Sequence, residues 1–395
     1  MEKFISTPTP LNPPSGRGEN IISPPYQGGA RGGLPKLGII YLSYHSEPYL
    51  NRFISSIQET SYPFEELEVI IVDNPHLEFG SSEKILQEKL KTLSGKNFPR
   101  VTILPQEKNL GFSGGMNVGI KKAFELGCKY VYLHNQDGFT DSKAWEKIVQ
   151  VMEDDQTIGA AQSLMMLYPE TELINTNGNN FHYLGFGYIN HFKKRLSDLK
   201  LNNVRDIGYA SGAAVLLRTD VLKKYGLWDE DYFFYHEDVE YSLRLKSLGY
   251  RVVTVKDSVF YHAYEFSRNK NKFYFMERNR FGLLLTYYKI PTLLLLIPIS
   301  LIIEFGMFFF ALFQGWGKEK TRASLYWLRP SSWRLWLGKR KVAQARRTVK
   351  DGVLLGQAVS ELHFPEVGLN NPLLHYIANP LMRLYFIILK FLVIW

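Results

Sequence analysis

Four strand-length runs dominated by apolar residues, separated by helix-like segments, constrain this chain more than any other feature. They are residues 37–44 (LGIIYLSY), 67–72 (LEVIIV), 101–104 (VTIL) and 130–134 (YVYLH). A strand that faces water on one side alternates polar and apolar residues, whereas a continuous apolar run is buried on both faces, as in a parallel sheet covered by helices. Between the runs, residues 49–60 and 81–93 have helical spacing, and 115–126 reads as a helix after a glycine turn. The expected fold class is α/β, with a mixed, mainly parallel sheet and helices on both faces. Ligands of such sheets bind at the carboxyl ends of the strands, so the polar residues after each strand are the ones to inspect.

Around this core the chain divides by composition. Residues 1–35 are rich in Pro, Gly and Ser and show no periodic apolar face, which reads as a disordered leader. Residues 36–285 are expected to be the catalytic domain, with one half at 36–140 and a turn-rich second half at 141–285. Residues 286–395 read as a membrane-associated helical region. The single cysteine, Cys128, excludes an internal disulfide and a cysteine-rich zinc module. The net charge of +9 is not spread over the chain: residues 315–350 hold eleven Lys/Arg and one acid, Glu319, so the rest is close to neutral. A nucleic-acid groove would distribute its charge through the folded domain, so nucleic acid is not an expected partner. The basic segment instead adjoins the most apolar stretch, residues 290–314, in which Glu304 is the sole charge. That stretch is long enough to cross a bilayer, but Pro291 and Pro298 interrupt it and basic residues flank both ends. The positive-inside rule prefers basic flanks on one side, so a re-entrant or interfacial helical hairpin is expected. Trp316, Trp327, Trp333 and Trp336 among the basic residues suit an in-plane helix at anionic headgroups. A second apolar segment, 381–395, carries Arg383 and Lys390. Membrane contact is therefore expected through 286–350 and 381–395, at the cytoplasmic face of the cell membrane.

Several polar clusters sit at predicted strand ends or turns. Ser43-Tyr44-His45 and Asp73-Asn74 follow consecutive strands; a carboxylate and an aromatic ring there suit a nucleoside, although Asp-Asn also caps ordinary β–α turns. Asn109-Leu110-Gly111-Phe112-Ser113-Gly114-Gly115-Met116-Asn117 lets a backbone approach a phosphate or sugar, or is simply a tight turn. It matches neither the dinucleotide nor the P-loop fingerprint. Asn135-Gln136-Asp137 ends a strand, where a carboxylate can seat a divalent ion already held by diphosphate oxygens; an Asx turn looks the same. Trp228 to Arg244 (WDEDYFFYHEDVEYSLR) places four aromatics before Glu237, Asp238 and Glu240 at a helix start. Acids there are favoured by the helix dipole, but the aromatics suit sugar faces, and a carboxylate so placed can take a proton from a hydroxyl. His262, after Phe260-Tyr261, is a competent metal ligand in its neutral form.

Taken in order, these clusters resemble the family 2 glycosyltransferases of GT-A fold, in particular their rhamnosyltransferase-like branch, over residues 36–285. The resemblance implies a donor site at Ser43, Tyr44, Asp73, Asn109, Gly111, Gly115, Asn117 and Asn135, and an acceptor site at Gly212, Ala213, Glu230, Phe234 and Arg244. It implies that Asp137 and His262 hold a divalent metal (Mn²⁺ or Mg²⁺), with Asn135 standing where the family's metal motif has Asp. Asp238, in the pair with Glu237, is then the general base. The implied reaction is a single in-line displacement with inversion, from a nucleotide-diphosphate sugar to a hydroxyl of a glycan or glycolipid. The Gln-x-x-Arg-Trp stretch of processive synthases is absent from the sequence, which favours transfer of one sugar per encounter. A polyprenyl-phosphate acceptor and an inactive membrane scaffold of the same fold are the competing expectations.

Overall fold

A computed structural model describes residues 33–395 apart from 91, 96, 265–269 and 364–371. The leader expected at 1–35 thus falls, through residue 32, outside the described residues. The apolar runs do form strands: β1 (Leu37–Ser43), β2 (Leu67–Asp73), β3 (Arg100–Pro105) and β4 (Tyr130–Asn135), with α1 (Glu47–Gln58), α2 (Glu83–Leu90) and α3 (Gly111–Glu125) between them. There follow β5 (Gly138–Thr140), α4 (Ala144–Asp154), β6 (Ile158–Leu167), β7 (Ile174–Thr176), β8 (Asn179–Phe181), β9 (Gly187–Ile189) and β10 (Val204–Asp206). The domain closes with β11 (Ala214–Arg218), α5 (Thr219–Tyr225), α6 (Glu237–Ser247) and β12 (Arg251–His262).

The main sheet runs β10-β12-β6-β11-β4-β1-β2-β3. Neighbours are parallel except where β11 runs against β4 and β6 and β10 against β12. Both faces are dry, for the reason the sequence suggests. Ile39, Tyr41, Val69 and Ile71 pack under Phe53 and Ile57 of α1 and Trp145 and Ile148 of α4. Their sequence neighbours Ile40, Leu42, Ile70 and Val72 pack under Met116 and Ile120 of α3 and Tyr241 and Leu245 of α6. Register then fixes the functional edge: Ser43 pairs with Asp73, Leu42 with Asn135, and Ala214 with His134. The polar residues after β1, β2 and β4 therefore end level with one another.

The glycine stretch before α3 differs from expectation. The helix starts at Gly111, not Gly115. A Cβ on Gly115 would lie 2.4 Å from Leu42 Cδ1 and 3.0 Å from the Asn74 amide. Gly115 is small so that α3 can sit on the sheet, and it does not face a ligand.

Beyond the sheet come α7 (Asn271–Tyr287), α8 (Ile290–Phe313), α9 (Gly317–Tyr326), α10 (Pro330–Arg346), α11 (Asp351–Gly356) and α12 (Asn379–Leu392). The expected hairpin within 290–314 is not formed: α8 is one continuous helix through Pro298, and the chain reverses only at Gly315 (φ +74°). By length and composition α8 could cross a membrane. One stripe of it (Thr292, Leu296, Ile299, Ile303 and Ala311) is nonetheless buried. Glu304 sits with Glu277 and Arg280 of α7 and Lys320 of α9; Lys320 Nζ is 2.5 Å from Glu304 and Arg280 is 3.0 Å from Glu277. Two acids and two bases compensate one another, which is what makes their burial tolerable. The sole charge of α8 thus faces the protein, while Leu294, Leu301, Phe305 and Phe313 are exposed.

Candidate active site

At the end of β4, Asp137 Oδ1 lies 3.0 Å from His262 Nε2, and the Asn135 amide donates to the same oxygen at 2.5 Å. His262 reaches this point because β12 runs for twelve residues and pairs with β5 at Gly138. Its Nδ1 is 2.9 Å from Asn175 Oδ1. An amide oxygen only accepts, so this contact assigns a proton to Nδ1 and turns the Nε2 lone pair toward the Asp137 carboxylate. Two acceptor atoms facing at 3.0 Å call for a cation between them, a proton or a metal. Burial would raise the Asp137 carboxyl, but His262, a backbone N–H and His134 together hold the group below its usual range. One carboxylate and one neutral imidazole, each with its outer partner, fit a divalent ion whose other ligands come from a substrate. Among the described residues no group of three His, Cys, Asp or Glu surrounds such a point, so a diphosphate would have to complete the shell.

The second candidate group is the acidic start of α6. Asp238 is half-buried; burial pushes its carboxyl up to about 6, offset in part by the N–H groups of Val239 and Gly212. Glu237 is buried, its Oε2 has no partner, and burial together with the charge of Asp238 pushes its carboxyl far up. Beside the β4 end, the carbonyl of Ala213 accepts from Asn135 N–H at 2.8 Å.

The aromatic segment before α6 is held in an unusual backbone. Phe233, Tyr235 and His236 have φ of +59°, +65° and +68°, values that non-glycine residues rarely adopt. Asn279 of α7, fully buried, donates to the carbonyls of Tyr232 (3.0 Å) and Tyr235 (2.7 Å), and Arg278 donates to those of Asp231 and Tyr232. The His236 ring donates from Nε2 to the Gly185 carbonyl at 3.1 Å; burial lowers its pKa to about 4, so it is neutral. So constrained, Phe233 and Phe234 expose their rings. Phe233 also reaches the other half of the cleft. Its carbonyl accepts from Phe112 N–H, and a Cβ on Gly111 (φ +71°) would lie only 2.8 Å from its ring.

Residues 39–226 match the family described as glycosyl transferase family 2. That match spans a little under half of the chain. An uncharacterized glycosyltransferase of Haemophilus influenzae is 31% identical over 141 residues, 35% of this chain and 39% of that one. An N-acetylglucosaminyl-diphospho-decaprenol L-rhamnosyltransferase of Mycobacterium tuberculosis is 25% identical over 244 residues, 57% of this chain and 75% of the relative. Among solved structures, GalNAc-T7 with UDP, GalNAc and Mn²⁺ superposes with a TM-score of 0.50 at 13% identity, over 65% of this chain and 49% of that one, which establishes a shared GT-A fold. The chain thus spans well under two thirds of the first relative and of GalNAc-T7.

The residues singled out from the sequence divide into two groups. Asn135, Asp137 and His262 converge, with Ala213, next to Gly212, bonded to Asn135, while Glu237 and Asp238 open α6 behind exposed Phe234. Others are turned to internal work. Ser43 and Asp73 are fully buried, with Asp73 accepting from the hydroxyls of Ser43 (3.1 Å) and Ser81 (2.6 Å). Asn109 accepts from Gly111 N–H as an Asx turn. Asn117, placed at the donor by sequence, is buried and bonds Trp228 through both ends of its amide and exposed Glu230 through its nitrogen; it positions the acceptor segment. Arg244, placed at the acceptor, is committed to Glu240 (2.6 Å) and to the carbonyls of Gly226 and Leu227 beneath that segment.

Four more residues shape the site without having stood out in the sequence. Gln136 clamps the Tyr44 backbone, accepting from its N–H (2.6 Å) and donating to its carbonyl (2.9 Å). His76 and Phe79 stack against Tyr44 (4.5 Å) and His45 (4.1 Å) to make an aromatic patch beside the β1 end. Asn279 is the fourth. Gln136 falls inside the Asn135–Asp137 cluster; the other three carry no local signal.

Proposed function

We propose that the protein is a divalent-metal-dependent inverting glycosyltransferase, moving a sugar from a nucleotide-diphosphate donor to a hydroxyl of a lipid-linked or cell-surface glycan. The observation that carries this reading is the Asn135–Asp137–His262 cluster at the end of β4, its imidazole held from behind by Asn175, together with the carboxylates that open α6 after the exposed aromatic pair. Asp137 and His262 would hold the ion, which when bound would neutralise charge developing on the leaving diphosphate. Asp238 is ionised at neutral pH and accepts the proton of the acceptor hydroxyl, with a pKa close to the working pH as general-base catalysis favours. Phe233 and Phe234 offer ring faces to an acceptor sugar, and Tyr44, with its backbone held by Gln136, offers one to the nucleoside.

The relative from M. tuberculosis is named for rhamnose transfer to a diphospho-decaprenol-linked sugar; we carry rhamnose and a lipid-linked acceptor over as part of this proposal. The exposed apolar face of α8 and the basic, tryptophan-bearing α10 support docking at a membrane surface with α8 lying in plane, its charge turned inward. We place that surface at the cytoplasmic face, where nucleotide sugars are made. A panel of nucleotide sugars, assayed with Mn²⁺ and a lipid-linked glycan, tests the function: one donor should turn over and give a product of inverted anomeric configuration by NMR. Retention of configuration, or no binding of any nucleotide sugar by calorimetry, would refute it.

A further inference from the structure

Much of the polar face of α10 is turned inward. Arg340 donates to the carbonyls of Leu285 (2.6 Å) and Tyr288 (2.5 Å) at the end of α7, and Gln344 to those of Thr286 and Tyr287. Lys339 reaches the entry of the aromatic segment itself. Its Nζ lies 2.7 and 2.6 Å from the two carboxylate oxygens of Asp229 and 2.6 Å from Asp231. Lys339 and Asp229 are only 19% and 18% exposed, so water screens this pair little. Asp229 in turn accepts from Asp231 N–H at 3.1 Å, and one ammonium thus ties together both acids of a tight turn. Trp336, three residues earlier on α10, is fully buried, its ring centroid 5.3 Å from that of Tyr232 and near-perpendicular to it. It fits there because α7 carries Gly282, where a Cβ would lie 2.4 Å from the indole.

We propose that α10 is a clamp on the aromatic segment before α6, with Lys339 as its positioning residue for the acceptor. This rests on the reading of Phe233, Phe234 and Asp238 as the acceptor side of the site. Phe233, Tyr235 and His236 hold left-handed backbone, which persists only where the surroundings over-determine it. From α7, Arg278 and Asn279 fix carbonyls of the segment; from α10, Lys339 and Trp336 fix the side chains at its entry, Asp229, Asp231 and Tyr232. Asp229 and Asp231 are like charges held close, and they repel each other once no cation lies between them. Without Lys339 the turn opens where Phe233 begins. The C-terminal helices then help to shape the site, beyond any role at a membrane.

The test compares the full-length parent with Lys339→Met, Lys339→Arg and the triple variant Asp229→Asn/Asp231→Asn/Lys339→Met. Hydrogen exchange at 233–236 is measured in each, since the Phe233 and Phe234 amides are bonded within the segment. The thermal midpoint and, with a donor that turns over, the kinetics toward the lipid-linked glycan are measured alongside. Lys339→Met should quicken exchange and lower acceptor kcat/KM roughly 10- to 100-fold, as loss of a hydrogen bond to a charged group implies, with the KM for the donor unchanged. Lys339→Arg keeps the charge and can bridge both carboxylates, so it should stay near the parent. The triple variant leaves no acid unpaired and keeps an oxygen at position 229 to accept from the next turn. Its midpoint should therefore recover while exchange and acceptor kinetics stay impaired, a split that a merely stabilising role would not give. Unchanged exchange in Lys339→Met, or parental exchange in the triple variant, overturns the clamp. Exchange needs no turnover, so it decides this inference even if every donor fails and the proposed transfer falls.

Discussion

Replacing Asn279 with leucine tests how the acceptor segment is held. Leucine keeps the volume, so no cavity opens, but it removes the donors that reach the Tyr232 and Tyr235 carbonyls at 3.0 and 2.7 Å. A net value of about 0.5–1.5 kcal/mol per bond gives a loss of about 1–3 kcal/mol. Against that stands the strain of Phe233, Tyr235 and His236, at roughly 1–2 kcal/mol for each non-glycine residue in the left-handed region. The lost bonds are therefore comparable with what one or two of these residues gain by relaxing, and the segment should leave its constrained form. In steady-state kinetics, kcat/KM for the acceptor should fall roughly 10- to 100-fold. Nucleotide affinity should hold, because Asn279 touches no residue of the β1 and β4 ends. Hydrogen exchange at 233–236 should quicken. Unchanged acceptor kinetics together with unchanged exchange would refute the reasoning.

Three further outcomes are expected. Because burial pushes the Asp238 carboxyl up to about 6 and only its ionised form accepts a proton, acceptor kcat/KM should drop with unit slope as pH falls through about 6 and level off above it; a profile flat to well below that point would contradict the assignment. EDTA should stop transfer and Mn²⁺ or Mg²⁺ restore it, with Asp137→Ala losing the ion's contribution to nucleotide binding in calorimetry; metal-independent turnover would remove Asp137 and His262 from their roles. Gly111→Ala adds a Cβ 2.8 Å from the Phe233 ring at φ +71°, so the thermal midpoint and acceptor kcat/KM should both fall, by at least the roughly 1–2 kcal/mol of left-handed backbone strain; a variant matching the parent in both would contradict the close approach.

The sheet was legible because its strands are buried on both faces, so β1, β2 and β4 stand out as unbroken apolar runs. The start of α3 was not: Gly111 to Gly115 reads locally as a turn, and only contact with Leu42 and Asn74 shows that Gly115 serves helix–sheet packing, while Gly111 makes room for Phe233. Polar residues at strand ends were the ones to inspect, and Asp137 and His262 do meet there. The same signal drew in Asp73, Asn117 and Arg244, whose identical chemistry is spent on internal bonds; a sequence shows which groups can donate or accept, not whether a neighbour already occupies them. Asn279 is the converse case, an ordinary helical residue made important by carbonyls more than forty positions away. For α8, Pro298 and basic flanks suggested a broken segment. The helix continues because its neighbours α7 and α9 supply partners for Glu304 and bury one stripe of it.

The proposed transfer depends on a single carboxylate, Asp238, acting as base while Asp137 and His262 hold the ion. Asp238→Asn, which preserves shape and removes the base, tests that directly when nucleotide-sugar binding and turnover are measured on the same preparation. Binding should match the parent while turnover falls by about 10²–10⁴-fold. An asparagine variant that transfers sugar at the parental rate would contradict the assignment.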